Sequence, residues 1–91
     1  MNDAEVHIRV SGVVQGVGFR YFVWRKAEEM GLTGFVRNAE NGEVEIRAQG
    51  PGGLLDDFVR AVHIGPRGAR VVRVVADVVK SSGQYSSFEI R

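Results

Sequence analysis

The sequence predicts an α+β sandwich in which an antiparallel sheet carries two helices on one face. Three observations support this fold class. Residues 5–12 alternate between apolar and polar side chains, two later stretches repeat apolar side chains every three or four positions, and an Asn-Gly pair between those stretches marks a hairpin. The resulting order, β-α-β-β-α-β with one additional terminal strand, is that of the ferredoxin-like fold.

The spacing of apolar residues distinguishes the first strand from the first helix. Val6, Ile8 and Val10 fall on one face of the alternating run, opposite polar and charged side chains, which indicates a half-buried strand. From Phe19 the apolar spacing changes to three and four residues and predicts an amphipathic helix of about three turns. Gly31 follows at the position where a left-handed C-terminal cap is favoured.

A hairpin is predicted within residues 33–50, and the alternation of its strands selects its turn. A two-residue loop would place the charged Arg37 on the core face, whereas a three-residue loop at residues 40–42 places Val36 there instead. The second register is therefore favoured. It also turns the side chain of Asn38 inward at the end of its strand. A polar amide on the core face is unusual unless it has a structural or functional role.

The second half of the chain predicts one helix and two strands. The helix lies within residues 50–66 and ends at a Gly-Pro pair. Residues 69–80 and 85–91 indicate the strands, the last one with Phe88 and Ile90 facing inward. The apolar stripe of the helix comprises Leu54, Leu55, Phe58, Val59 and Val62.

The composition is that of one globular domain spanning residues 1–91, with 44% hydrophobic and 25% charged residues. A net charge of +1 argues against a nucleic-acid partner, whose phosphates require a basic surface. No apolar run approaches the roughly 20 residues of a membrane helix, and the first residues lack the layout of a secretory signal. Without cysteine the chain has no disulfide, thiol nucleophile or Cys-based metal site. We expect a cytoplasmic monomer.

The candidate functional site is the connection between the first strand and the first helix, SGVVQGVGFR at residues 11–20. Glycines allow successive N–H groups to form an anion-binding concavity at a helix N-terminus, and Arg20 adds a planar cation that can bind two phosphate oxygens. The spacing fits neither the Walker pattern nor G-x-G-x-x-G, because Tyr21 stands where the third glycine belongs. On these grounds alone, an anion site and a glycine-rich turn with an exposed arginine are equally supported.

Two separated segments resemble a known family. GVVQGVGFR at residues 12–20, followed by GFVRNAENGEVE at residues 34–45, is similar to the acylphosphatases, and the shorter matches QGP, GPRGARV and FEIR extend the resemblance over nearly the whole chain. That family has the same β-α-β-β-α-β sandwich and hydrolyses carboxyl-phosphate mixed anhydrides to a carboxylate and inorganic phosphate. The resemblance implies this fold and this activity here.

The resemblance also implies roles for individual residues. Arg20 corresponds to the essential arginine of the family and Asn38 to its water-positioning asparagine, with inorganic phosphate as product and inhibitor and with no cofactor. The chain departs from many relatives at Ala39, where they have a threonine, and at Gly18, where a larger residue is common and a glycine would leave the loop more mobile. The implied phosphate-binding set is Gln15, Gly16, Val17, Gly18, Phe19 and Arg20.

Three alternatives stay open on the sequence. An acylphosphatase-like domain with the VQGVGFR motif also occurs in hydrogenase-maturation proteins, although the end of the chain at Arg91 favours a stand-alone enzyme. The same topology serves RNA-recognition domains, for which Phe35 would be an outward stacking residue. A phosphate sensor would bind without hydrolysis. His7 and His63 have no accompanying carboxylate cluster and therefore indicate no metal site.

Overall fold

The element order agrees with the prediction. The computed structural model describes residues 3–91 and contains the predicted β-α-β-β-α-β succession followed by a short terminal strand. Neither helix of this part of the chain has the length and the hydropathy that crossing a membrane requires. The elements are β1 (Asp3–Val13), α1 (Phe19–Met30), β2 (Thr33–Asn38), β3 (Val44–Pro51), α2 (Gly52–Ile64), β4 (Arg70–Val79) and β5 (Phe88–Ile90).

The sheet has the strand order β4-β1-β3-β2-β5. The pairings among β1, β2, β3 and β4 are antiparallel, as predicted, whereas β5 pairs with β2 in parallel. The difference arises because the chain leaves β4 at one edge of the sheet and crosses to the opposite edge before β5 begins. Since β1 and β2 are both antiparallel to β3, they run in the same direction. Their C-terminal ends, Val13 and Asn38, therefore lie at the same end of the sheet.

The hairpin of β2 and β3 has the predicted register. Val36 lies opposite Ile46, and Asn38 lies opposite Val44. Gly42 has a φ of 90°, in the left-handed region that the third residue of such a loop requires. The three-residue loop and the inward orientation of Asn38 that followed from the alternation are thus confirmed.

The core lies between the sheet and the two helices. On α2 the fully buried side chains are spaced by three and four residues, so Leu54, one position before them, is rotated out of the stripe and is 37% exposed. On β5, Phe88 is buried against Phe58, whereas Ile90 at the strand end is 44% exposed. The prediction that Leu54 faces the core was wrong, whereas Ile90 lies on the predicted face of β5 but outside the core. The core comprises Val6, Ile8, Val10, Val14, Phe19, Val23, Ala27, Leu32, Val36, Val44, Ile46, Ala48, Leu55, Phe58, Val62 and Phe88.

The outward face of the sheet is crossed by the segment between β4 and β5, which we name the C-terminal strap (residues 80–87). Both the N–H and the hydroxyl of Ser82 donate to the carboxylate of Glu5, at 3.0 and 3.2 Å. Tyr85 contacts Phe35 edge to face, with 6.1 Å between the ring centroids. Phe35 is only 8% exposed, and Tyr85 and Arg91 both lie against its ring, so the ring is not free to stack on a nucleic-acid base.

Candidate active site

The glycine-rich loop and Asn38 meet at the end of the sheet where β1 and β2 terminate. Val14, directly after β1, is 1% exposed and anchors the start of the loop in the core. Phe19, the first residue of α1, is equally buried and anchors the other end. The loop between them is therefore short and held on both sides.

The backbone of this loop has the geometry of an anion cradle. Gly16 and Gly18 have φ values of 76° and 78°, while Val17 between them has no positive φ. Such alternation turns successive N–H groups toward one concave side. The first helical hydrogen bond runs from the N–H of Phe22 to the carbonyl of Gly18, at 3.0 Å. Within residues 3–91 the N–H groups of residues 16–21 have no acceptor, so they remain available to an anion.

Arg20 is the second residue of α1 and therefore lies beside this cradle. Its Nη1 donates to the main-chain oxygen of Arg91, at 3.0 Å, just beyond β5. The guanidinium of Arg91 in turn lies over the ring of Phe35, 4.3 Å from the centroid. Arg20 is thus exposed but held, and the guanidinium has five N–H donors, so four remain for a ligand.

Asn38, the last residue of β2, presents a buried acceptor without a donor. Its Oδ1 has no hydrogen-bond partner among residues 3–91. Leaving a buried polar atom unpaired costs about 1–3 kcal/mol, so native structures keep such an atom mainly where a water molecule or a ligand supplies the partner. The carboxamide is therefore suited to receive a hydrogen bond from a molecule that enters the site.

These features line one depression of about 220 Å³. Arg20 carries the only full charge among its lining residues in the described part of the chain. Sequence reasoning missed Val14 as a lining residue. It placed Ile90 on the correct face of β5, the face of Phe88, but did not predict that Ile90 lines the depression. The lining residues are Val14, Gly16, Gly18, Phe19, Arg20, Tyr21, Asn38 and Ile90.

Two residues of the predicted phosphate-binding set direct their side chains elsewhere. The Nε2 of Gln15 donates to the carbonyls of Ala39 and Glu43, both at 2.9 Å. The side chain of Val17 packs against the core. Gln15 and Val17 therefore belong to the loop through their main chain, while Gly16, Gly18, Phe19 and Arg20 line the depression together with Asn38.

The two histidines lie outside the depression. His7 is bonded through Nε2 to Glu45, at 2.7 Å, on the outward face of the sheet. The Nδ1 of His63 lies 3.0 Å from the carbonyl of Val59, one turn earlier on α2. No group of three or more His, Cys, Asp and Glu side chains within residues 3–91 is arranged to hold a metal ion.

Comparison with known proteins gives matches over nearly the whole chain. The acylphosphatase family model matches residues 6–90. An acylphosphatase from Methanospirillum hungatei is 48% identical over 86 residues, which cover 94% of each protein. The crystal structure of acylphosphatase from Bacillus subtilis superimposes with a TM-score of 0.93 at 40% identity, covering 97% of this chain and 98% of that one.

One similar structure belongs to a much larger protein. Full-length HypF in its phosphate- and nucleotide-bound form superimposes with a TM-score of 0.92 at 28% identity. That match covers 99% of this chain but 12% of HypF. The chain is thus similar to a small part of HypF and to almost the full length of the stand-alone proteins.

Proposed function

The chain belongs to the acylphosphatase family and hydrolyses the carboxyl–phosphate bond of acyl phosphates, and we propose that Arg20, the N–H groups of residues 16–20 and Asn38 carry the reaction. The observation behind this assignment is the unpaired, buried Oδ1 of Asn38 in the same depression as Arg20 and the free N–H groups. An anion cradle beside a hydrogen-bond acceptor without a partner suits a reaction between a phosphoryl group and water.

The chemistry places few demands on the protein. Water attacks phosphorus, the bond from phosphorus to the acyl oxygen breaks, and its electron pair leaves with the carboxylate. A proton of the water passes to a phosphoryl oxygen of the substrate, so the products are a carboxylate and inorganic phosphate. A carboxylate is a weak base and departs without a protein acid. Catalysis then depends mainly on positioning and on stabilising charge at the phosphoryl oxygens.

We assign phosphoryl binding and water positioning to different residues of the site. The guanidinium of Arg20 and the N–H groups of the loop donate to the phosphoryl oxygens and hold the group in place. The Oδ1 of Asn38 accepts a hydrogen bond from the attacking water and fixes its line of approach. Tyr21 and Ile90 line the same depression and are exposed, so they are the side chains to which we assign contact with the acyl portion.

The assignment is tested by the hydrolysis of benzoyl phosphate by wild-type protein and by Asn38→Ala. We expect kcat to fall about 10²-fold, because a positioned transition-state partner is lost, while KM changes little. Gln84→Ala is the control, since it removes an exposed carboxamide of the C-terminal strap outside the depression. An Asn38→Ala protein that folds normally and keeps the wild-type kcat would remove Asn38 from the mechanism.

We also propose that inorganic phosphate inhibits the enzyme competitively. It is the product, and it presents the same oxygens to Arg20 and the loop N–H groups as the substrate does. An inhibition constant for phosphate that rises in Arg20 variants would support this; inhibition that is independent of Arg20 would contradict it.

A monomer in the cytoplasm is our proposal for the working form. The exposed edge strand β4 is interrupted by a bulge opposite Ser11 and Gly12 and carries Arg73 and Asp77, features that discourage pairing with a second copy. The cysteine-free sequence has no need of an oxidising compartment. Sedimentation of the purified protein tests the monomer, and fractionation of the source cells tests the location.

A further inference from the structure

Gln15 joins the anion loop to the hairpin that carries Asn38. Its Nε2 has two N–H donors, and both are used: one on the carbonyl of Ala39 and one on that of Glu43, each at 2.9 Å. Ala39 and Glu43 close the hairpin loop, since the N–H of Ala39 donates to the carbonyl of Glu43 at 2.8 Å. One side chain of the anion loop is thus attached to the base of the neighbouring hairpin.

This attachment joins the ends of two strands that are not neighbours in the sheet. Strands β1 and β2 are not neighbours, because β3 lies between them. The other links between the anion loop after β1 and Asn38 at the end of β2 are less direct. They run through two successive strand pairings, through α1, and through the hydrogen bonds of Arg91 to Arg20 and to β2. Ala39 follows Asn38 directly in the chain, so the hydrogen bond to its carbonyl acts one residue away from the carboxamide that receives the water.

We propose that Gln15 is a positioning residue that sets the separation between the anion cradle and the Oδ1 of Asn38. The inference rests on the function proposed above for Asn38. In-line attack requires accurate placement of the water relative to the phosphoryl group, and a displacement of about 1 Å can cost roughly 10²-fold in rate. Because both Nε2 donors of Gln15 are occupied, its side chain supports turnover and does not bind the phosphoryl group.

A purely structural role would give a different result. If Gln15 only stabilised the hairpin loop, its removal would lower the unfolding temperature, and the folded fraction would keep the wild-type kcat. If Gln15 instead shaped the cradle, phosphate affinity and turnover would fall together. A positioning role predicts a lower kcat with phosphate affinity retained.

The variant Gln15→Leu separates these cases, because leucine has a similar size and no donors. We expect kcat for benzoyl phosphate to fall about 10- to 100-fold, while the inhibition constant of inorganic phosphate changes less than about threefold. Gln84→Leu, the same substitution at an exposed position of the C-terminal strap, is the matched control. An unchanged kcat overturns the proposal, and so does a proportional loss of phosphate affinity.

A double-mutant cycle tests whether Gln15 acts through Asn38. If it does, Gln15→Leu should lower kcat less than about threefold in an Asn38→Ala background, because the group that it positions is already absent. A full, additive loss overturns the role of Gln15 and leaves that of Asn38 intact. An Asn38→Ala protein with the wild-type kcat overturns the proposed function itself and the Gln15 inference with it.

Gln15→Asn covers the case in which Gln15→Leu does not fold. It keeps the amide but shortens the side chain by one methylene, so it cannot reach both carbonyls. The same loss of kcat with retained phosphate affinity is expected, and a wild-type kcat in the folded variant overturns the proposal.

Discussion

The exposed side chain of Arg20, to which we assign phosphoryl binding, is restrained by a main-chain contact. The guanidinium gives up one donor to the main-chain oxygen of Arg91, at 3.0 Å. That bond limits the rotation of a long side chain, which otherwise loses conformational entropy when a ligand immobilises it. The remaining donors belong to a side chain that lines the same depression as Gly16 and Gly18, so they are available to a doubly charged group.

Arg20→Lys is predicted to lose about 10- to 100-fold in kcat/KM, because one charge-assisted hydrogen bond is worth about 1.5–3 kcal/mol and a lysine cannot form the two-pronged contact. Steady-state hydrolysis of benzoyl phosphate measures the loss. Arg25→Lys, at an exposed position further along α1, is the control and should match wild type. Equal activity of Arg20→Lys and wild type would show that only the charge matters.

The position of Asn38 could be predicted from the sequence, whereas that of the Gln15 side chain could not. A strand alternates strictly, so the charge of Arg37 determined the register and with it the inward orientation of Asn38. A loop has no such periodicity. The two carbonyls that Gln15 binds become neighbours only after the hairpin has closed beside the loop.

Cross-strand contacts on the outward face connect strands β1, β2 and β3. Glu45 on β3 accepts hydrogen bonds from His7 on β1 and from Arg37 on β2. Burial raises the pKa of the Glu45 carboxyl, but these hydrogen bonds and the positive charges lower it by more, so its pKa in the folded protein lies below the ordinary value of 4.5. The carboxylate therefore stabilises the fold in its ionised form.

Glu45→Gln is predicted to reduce stability near neutral pH and to make less difference in acid. Between the folded and unfolded pKa values the unfolded chain binds more protons, so stability rises with pH there. The contribution of Glu45 is complete above 4.5 and is lost as the pH falls through its lower, folded pKa. Urea unfolding of both proteins over this range gives the difference. A difference that does not change with pH would contradict the account.

The elements themselves were predictable to different degrees. The start of α1 at Phe19 and its end at Gly31 followed from the apolar period and the glycine cap, and both agree with the structure. The direction of β5 did not follow, because it depends on the path of the C-terminal strap across the whole sheet. The exposure of Ile90 has the same origin: a three-residue edge strand ends at the mouth of the depression.

The C-terminal strap links the stability of the molecule to its site. It begins after β4, crosses the sheet over Glu5 and leads through β5 to Arg91, whose main-chain oxygen binds Arg20. The Glu5 side chain is fully buried and bonds Ser82 in the strap and Arg47 in β3. A buried carboxylate with three donors holds the strap against the sheet.

Glu5→Ala is predicted to destabilise the protein by about 2–3 kcal/mol, because it leaves the N–H of Ser82 and the guanidinium of Arg47 without their acceptor. Urea unfolding measures the change. Glu28→Ala, at an exposed position of α1, is the control and should change stability little. A Glu5→Ala protein as stable as wild type would show that the strap does not depend on this carboxylate.

Titration of the protein with inorganic phosphate, followed through its backbone amide resonances, is the sharpest test of the proposal that an anion occupies the cradle of residues 16–20. We expect saturable shifts concentrated at the amide resonances of residues 16–20, with Arg20 included. The N-terminus of α2 at Gly52 and Gly53, also a helix start after a bend, should stay unchanged and serves as the internal control. Shifts centred on Gly52 and Gly53, or the lack of a saturable response in the loop, would show that the cradle does not bind the anion.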